Sequence, residues 1–260
     1  MNPEHLAALR KHELETVSKL LQRHNMKNGR LLEIGAGTGQ QAQMLNSKGY
    51  EVSAIDLPQS RYAPARVWPV IEYDGKTIPF NDDSFDIVYS SNVLEHITET
   101  NLMQREISRV LAPGGIAIHV LPSPAWRIIT MIIHYPWLIA TLLRSARKTT
   151  SDLSNKNNIT LQPHSILSKR EYWRRIPYAN RHGEHGNALT EAFYFRKTRW
   201  INEFENNNFQ IQEIIPSGLI YSGYALFGSQ LSVTSRERLA RLGGSACNIF
   251  ILRHTDDTPL

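Results

Sequence analysis

Hydrophobic positions in this chain change period repeatedly, and each change outlines an element. Leu6, Leu9, Leu14, Val17, Leu20 and Leu21 recur at helical spacing and predict a leading helix over residues 3–25, either packed on the body or covering a ligand. A short apolar run predicts a first strand at Arg30–Ile34, followed by a glycine-rich turn and a helix over Gly39–Ser47 that Gly49 stops. The runs Glu51–Ile55, Val67–Tyr73 and Phe85–Ser90 predict strands two to four. The last is continuously apolar, as suits a strand buried on both faces. Thr98–Leu111 predicts a helix ended by Pro113-Gly-Gly, and Ile116–Leu121 a fifth strand. Strands alternating with helices imply an α/β fold, a mostly parallel sheet with helices on both faces.

The regular pattern then stops. A next helix is predicted only from Leu189 to Asn206, followed by strands at Phe209–Ile215 and Ala246–Arg253, seven strands in all. Residues 123–188 therefore read as an insertion after strand five, between a first part over 1–122 and a completing part over 189–260. A connection this long in a compact domain usually serves a function. It opens with Trp126–Leu143, the most hydrophobic stretch of the chain, interrupted by Pro136 and bracketed by Arg127 and Arg144. Its 18 residues fall short of the roughly 20 that span a bilayer. Two readings remain: an in-plane amphipathic segment with Trp126, Tyr135 and Trp137 at the interface, or a buried hairpin roofing the site.

Charge sharpens that division. The chain of 260 residues carries a formal +5. Residues 124–190 hold ten Lys or Arg against three acids, a net +7, which leaves −2 for the remainder. The insertion is thus basic as well as partly apolar, and residues 126–148 could touch an anionic membrane surface. The only cysteine, Cys247, excludes an internal disulfide or a thiolate metal cluster and reads as a core residue. Asn2–Lys27 has no apolar signal region, so a cytoplasmic location is expected, with possible peripheral contact at the membrane face.

The candidate chemistry centres on Leu31-Leu-Glu-Ile-Gly-Ala-Gly-Thr-Gly39. The spacing Gly35-x-Gly37-x-Gly39 is not the G-x-G-x-x-G that seats a dinucleotide pyrophosphate on a helix N-terminus. Glu33, immediately before the turn, would repel a pyrophosphate and favour a positively charged nucleoside.

Glu33–Gly39 resembles the first motif of class I S-adenosylmethionine-dependent methyltransferases. Glu51–Asp56, Asp74-Gly75, Asp83–His96 and Arg105–Gly115 resemble the following motifs in order, so the resemblance covers residues 28–122 well and the rest poorly. It implies a Rossmann-like fold and S-adenosyl-L-methionine as cofactor. It further implies that the backbone of Gly35, Gly37 and Gly39 approaches the methionine and ribose. Glu33 would meet the amino group, Asp56 beside Leu57 the ribose hydroxyls, Asp74 beside Gly75 the adenine, and Asn92 the methionine end.

The sulfonium supplies the reactive methyl group, so the protein must hold a nucleophile in line and often remove a proton. His96, just after strand four, is the first base candidate. Arg181-His-Gly-Glu-His-Gly186 supplies two more, His182 or His185, with Glu184 as an orienting group, and His164 is a weaker one. No metal is expected, because His182-x-x-His185 with one carboxylate is a thin ligand set. The expected activity is O-methylation of a small or lipid-linked acceptor, such as a polyprenyl-linked sugar, a quinone precursor or a lipid. The alternatives are an RNA methyltransferase that holds phosphates on the basic insertion, with nucleic acid the less favoured partner, and a non-catalytic cofactor-binding subunit. Oligomeric state is not legible.

Overall fold

The computed structural model describes residues 3–151, 182–187, 190–221 and 231–255. Fourteen of their segments matter here. The leading helix α1 (Pro3–Arg23) precedes β1 (Gly29–Ile34), α2 (Gln40–Asn46), β2 (Tyr50–Asp56) and β3 (Ile71–Glu72). Then come β4 (Phe85–Ser91), α3 (Thr100–Val110), β5 (Leu111–Pro122) and α4 (Pro124–Ser151). After the insertion follow α5 (Glu191–Tyr194), α6 (Lys197–Glu205), β6 (Phe209–Pro216) and, past α7 (Val233–Gly243), β7 (Cys247–His254).

The strands form one seven-stranded sheet in the order β3-β2-β1-β4-β5-β7-β6. β7 runs antiparallel to both neighbours, and the other described pairings are parallel. Side-chain alternation divides the core. Ile87, Tyr89, Ile116, Ile118 and Val120 pack with Leu14, Val17, Leu20 and Leu21 of α1 on one face. Val88, Ala117 and Leu121 pack with Met103 and Ile107 of α3 and Trp200 and Phe204 of α6 on the other. The leading helix therefore packs on the sheet. Cys247 is buried within that same face, as expected of a core residue.

Several boundaries differ from the sequence pattern. The predicted third strand, Val67–Tyr73, pairs only at Ile71 and Glu72. Pro69 has no N–H to give a ladder, and the Val67 amide donates to the Thr38 carbonyl of the glycine turn (2.8 Å) instead. The predicted helix from Leu189 to Asn206 is broken into α5 and α6 at Phe195 and Arg196. Strand five begins at Leu111 and absorbs Pro113-Gly-Gly as an irregularity in its register with β4.

The insertion is the larger correction. Pro136 does not interrupt it: α4 runs through that residue for 28 residues. Trp126 is half-buried rather than interfacial, its ring 4.7 Å from His182 and 6.1 Å from Phe195. Arg127 is fully buried rather than solvent-facing, and its Nε lies 3.1 Å from Glu191 Oε2, itself fully buried. Farther along, Ile128, Ile132, Tyr135 and Ile139 are exposed at the spacing of one helical face. No described helix is long and apolar enough to cross a membrane. Most of the basic residues counted in the insertion, and His164, lie outside the described residues.

The Arg127–Glu191 pair ties α4 to α5 and also holds the loop between them, since Glu191 Oε1 accepts from the amides of His182 (2.7 Å) and Gly183 (2.6 Å). Breaking one side of such a pair strands a buried charge. Glu191→Ala is expected to lower unfolding free energy by about 3 kcal/mol in chemical denaturation. A change under about 0.5 kcal/mol would mean the pair carries no such weight.

Candidate active site

The site is assembled at the carboxyl ends of β1, β2 and β4. Strand order reverses here: β1 leads to β2 through α2 on one face, and β4 leads to β5 through α3 on the other. Ligands in open α/β sheets settle in the crevice this leaves. Gly35 has φ +71° and a Cβ there would meet Val93 at 2.4 Å. At Gly39 (φ +75°) a Cβ would meet Trp68 at 2.5 Å. Glycine is therefore required at both positions. Gly37 (φ +58°) differs, because its nearest prospective neighbour is Tyr62 at 3.5 Å, so that side of the turn has room.

Asp56 braces the turn. Its Oδ2 accepts from the Gly37 amide (3.0 Å) and its Oδ1 from the Leu57 amide (2.8 Å). A carboxylate offers about four acceptor positions, so both oxygens keep capacity for a ligand's hydroxyls. Glu33 lies beneath the turn, 2% exposed, capping the first turn of α2 through the Ala42 amide. Its Oε2 has no hydrogen-bond partner among the described residues. Burial, with a smaller contribution from the Asp56 charge, pushes its carboxyl from 4.5 up to about 8. Asp74 is exposed, and its Oδ1 accepts from the amides of Lys76 and Thr77 (2.8 Å each), which hold its carboxyl below the usual range. It thus caps its own turn. Gly75 (φ +79°) lies close enough to Leu57 that a Cβ would come to 2.9 Å. Asn92 has φ +55° and directs its side chain to Ser91 Oγ (3.1 Å) and the Cys247 thiol (3.5 Å).

Beyond Asn92 a 3₁₀ turn at Leu94–His96 meets the loop 182–187 that precedes α5. The Glu184 amide donates to the Glu95 carbonyl (3.0 Å), and Gly183 packs so tightly there that a Cβ would meet that carbonyl at 2.9 Å. The contact brings His182 to His96, with ring centroids 4.9 Å apart. The Glu95 carboxylate sits between them, its side chain 1% exposed, with Oε1 3.3 Å from His182 Nε2 and 3.9 Å from His96 Nε2. Burial lowers the His96 pKa, opposed by the Glu95 charge and reinforced by His182. His185 is set apart from the pair, stacked on Tyr194 at 5.6 Å.

Two groups at the site escaped the sequence reading. Glu95 was passed over inside the Asp83–His96 motif; its adjacency to His96 was the available signal. Arg10 and Glu13 of α1 reach the end of β4, where Arg10 Nη1 and Ser91 Oγ are 3.1 Å apart and Ser91 Oγ donates to Glu13 Oε1 (2.7 Å). Tyr221 donates to the other oxygen of Glu13. Only the tertiary fold brings these residues together.

The donor set suits a cationic nucleoside: an orphaned buried carboxylate oxygen, two acidic side chains and a turn that is glycine by steric necessity. Comparison with known proteins agrees. A family model described as a methyltransferase domain matches residues 32–119. The chain is 30% identical over 125 residues to a demethylmenaquinone methyltransferase of Mycolicibacterium paratuberculosis, covering 47% of this chain and 54% of that protein. It is 35% identical over 95 residues to the biotin biosynthesis bifunctional protein BioHC of Cellvibrio japonicus, covering 34% of this chain and 18% of that one. The chain thus spans no more than about half the length of these curated relatives. Among solved structures, a SAM-dependent methyltransferase of Methanosarcina mazei aligns with TM-score 0.51 at 16% identity, over 90% of this chain and 96% of that one. The 1,6-didemethyltoxoflavin-N1-methyltransferase of Burkholderia thailandensis, with bound S-adenosylhomocysteine, aligns with TM-score 0.51 at 13% identity, over 94% and 79%. Residues 32–119 thus match a methyltransferase domain, and the fold is that of solved S-adenosylmethionine-dependent methyltransferases.

Proposed function

We propose that this protein methylates an oxygen of a small or lipid-linked, amphipathic acceptor, with His96 and His182 at the acceptor end. The observation that carries this reading is the juxtaposition of the braced glycine turn with the Glu95–His96–His182 cluster at one end of the sheet. Bound S-adenosylmethionine supplies an electrophilic methyl group. The chain's residues then have separable tasks. The amides of the turn and the carboxylates of Glu33 and Asp56 receive the cofactor's polar groups, Leu57 and Gly75 flank its base beside Asp74, and Asn92 borders its methionine end. His96 and His182 handle the proton of the acceptor hydroxyl, and Trp126, packed on His182, keeps water from that end. His185 is a lesser candidate for the same task. On the division at 122/123 and 188/189, the first part supplies the turn and His96, and the insertion brings Trp126 and His182 to meet them.

The apolar face of α4 supports a lipid-linked acceptor and contact with a membrane surface. Names of relatives that mention demethylmenaquinone lend weight to a quinone precursor. RNA gains no comparable support, because the described Arg127 is buried in an ion pair and cannot meet phosphates.

Incubation with methyl-labelled cofactor and a host-cell extract tests the reading. Label is expected in the organic phase; label confined to RNA or the aqueous phase would overturn the lipid-linked acceptor. Two substitutions test the residue assignments. Asp56→Ala should weaken cofactor binding by about 30-fold or more, and near-native binding would remove the ribose assignment. His96→Ala should lower turnover by about 10²-fold or more with cofactor affinity little changed, whereas unchanged turnover would shift the proton step to the 182–187 loop.

Glu33 gives a pH-linked outcome. In the unbound protein it is largely protonated at pH 7, because its carboxyl is raised to about 8. A cation above the turn favours the charged form and lowers that value. Cofactor binding at pH 7 should therefore release a fraction of a proton from Glu33, and affinity should rise with pH up to about 8. Calorimetry in two buffers of different ionisation enthalpy reads the proton count. Glu33→Gln should abolish this component, and an identical count in that variant would sink the assignment.

A further inference from the structure

We propose that Glu95, His96 and His182 form a binding site for a divalent zinc-class ion that clips the 182–187 loop to the turn after β4. The three donor atoms lie within 4.8 Å of one another. Four-coordinate zinc, with bonds of about 2.0–2.1 Å to nitrogen or oxygen, sets its ligand atoms about 3.3 Å apart. The Glu95–His182 separation is 3.3 Å and the Glu95–His96 separation 3.9 Å. Closure of the half-exposed His182 and exposed His96 rings toward one another, from a donor spread within 4.8 Å, completes the set.

The second observation is independent of these distances. The Glu95 carboxylate is buried, and neither of its oxygens has a hydrogen-bond partner among the described residues. A buried carboxylate without a donor costs several kcal/mol unless something compensates it. A divalent ion between the carboxylate and two imidazoles supplies that compensation. The loop is already held for the purpose: its amides at His182 and Gly183 bond to Glu191, and that at Glu184 to the Glu95 carbonyl. His182 is thus presented to the carboxylate before any ion arrives.

The spatial ligand set is not the sequence pair His182-x-x-His185. His185 turns away onto Tyr194, and Glu95 and His96 from the other side of the insertion take its place. Three protein ligands leave a fourth position for water or an acceptor hydroxyl. A hydroxyl bound there forms an O–Zn bond and loses its proton to solvent more readily. With the ion in place the imidazoles act as ligands and the ion acidifies the acceptor; the same side chains border it in either form.

The site rests on side-chain geometry and not on the methyl-transfer reading, so it is tested without cofactor or acceptor. The untagged full chain is stripped with chelator and titrated with Zn²⁺ by calorimetry, with metal analysis after gel filtration. One ion per chain is expected, with binding weakened at least about 100-fold in both Glu95→Gln and His182→Ala. Thermal melts verify that the variants are folded. In parallel, Co²⁺ added to the unaltered chain should give the intense visible bands of a four-coordinate centre. Absence of stoichiometric zinc, retention of full affinity in either folded variant, or a six-coordinate cobalt spectrum would each overturn the site.

Discussion

The reversal of strand order between the parallel neighbours β1 and β4 is the constraint on which the rest of the structure depends. The two strands pair side by side from Leu31–Ile87 to Ile34–Ser90. Past their carboxyl ends the chain must leave in opposite directions, to α2 and to α3, and no backbone remains to fill the gap. Both exits are tight turns that require left-handed residues, Gly35 after β1 and Asn92 after β4. Asp56, at the end of the neighbouring β2, stabilises the first exit by accepting from Gly37. The crevice and the side chains that border it are thus consequences of strand order before any ligand enters.

Buried carboxylates gather at that edge, and their surroundings assign them different work. Glu191 has a guanidinium and two loop amides, so its charge is compensated and its role is to position α4, α5 and the loop. Glu13 has Arg10, Ser91 and Tyr221 and fixes α1 over the end of β4. Among the described residues, Glu33 has one helix amide and an oxygen without a hydrogen-bond partner, which leaves it sensitive to any charge above the turn. Glu95 has no hydrogen-bond donor among them and two imidazoles nearby. Desolvation is costly for all four. Where the compensation is internal the group supports the structure; where it is incomplete the group is poised for a ligand.

The cofactor half was legible in the sequence because its determinants are local. The glycine turn, Asp56 and the strands up to β5 follow from apolar runs and turn residues within a few positions of each other. The acceptor half was legible only in part. His96 and His182 were singled out separately, but their meeting depends on a loop docked by Glu191 and on a glycine, Gly183, that allows backbone to touch backbone. The sequence left the stretch from Trp126 open between a membrane interface and a buried roof, because its hydrophobicity gives no sign of where it enters the core. That entry is set by Glu191, more than sixty positions later. Pro136 was read as a break, yet it lies within α4.

This asymmetry has a functional consequence. Glu95 and His96 follow β4 within the part of the chain that builds the cofactor crevice, so their place is fixed by the sheet. His182 and Trp126 come from opposite ends of the insertion and reach the same spot through the Glu191 carboxylate, which holds the loop and Arg127, and through the bond of the Glu184 amide to the Glu95 carbonyl. A change in the insertion can therefore remodel the surroundings of His182 while leaving the glycine turn, Asp56 and Glu33 undisturbed. The buried Arg127–Glu191 pair marks the boundary of that freedom. Substitutions beyond it, along the exposed Ile128–Ile139 face, alter what the protein can meet at its surface. Substitutions at the pair itself release the loop that delivers His182 to Glu95 and His96.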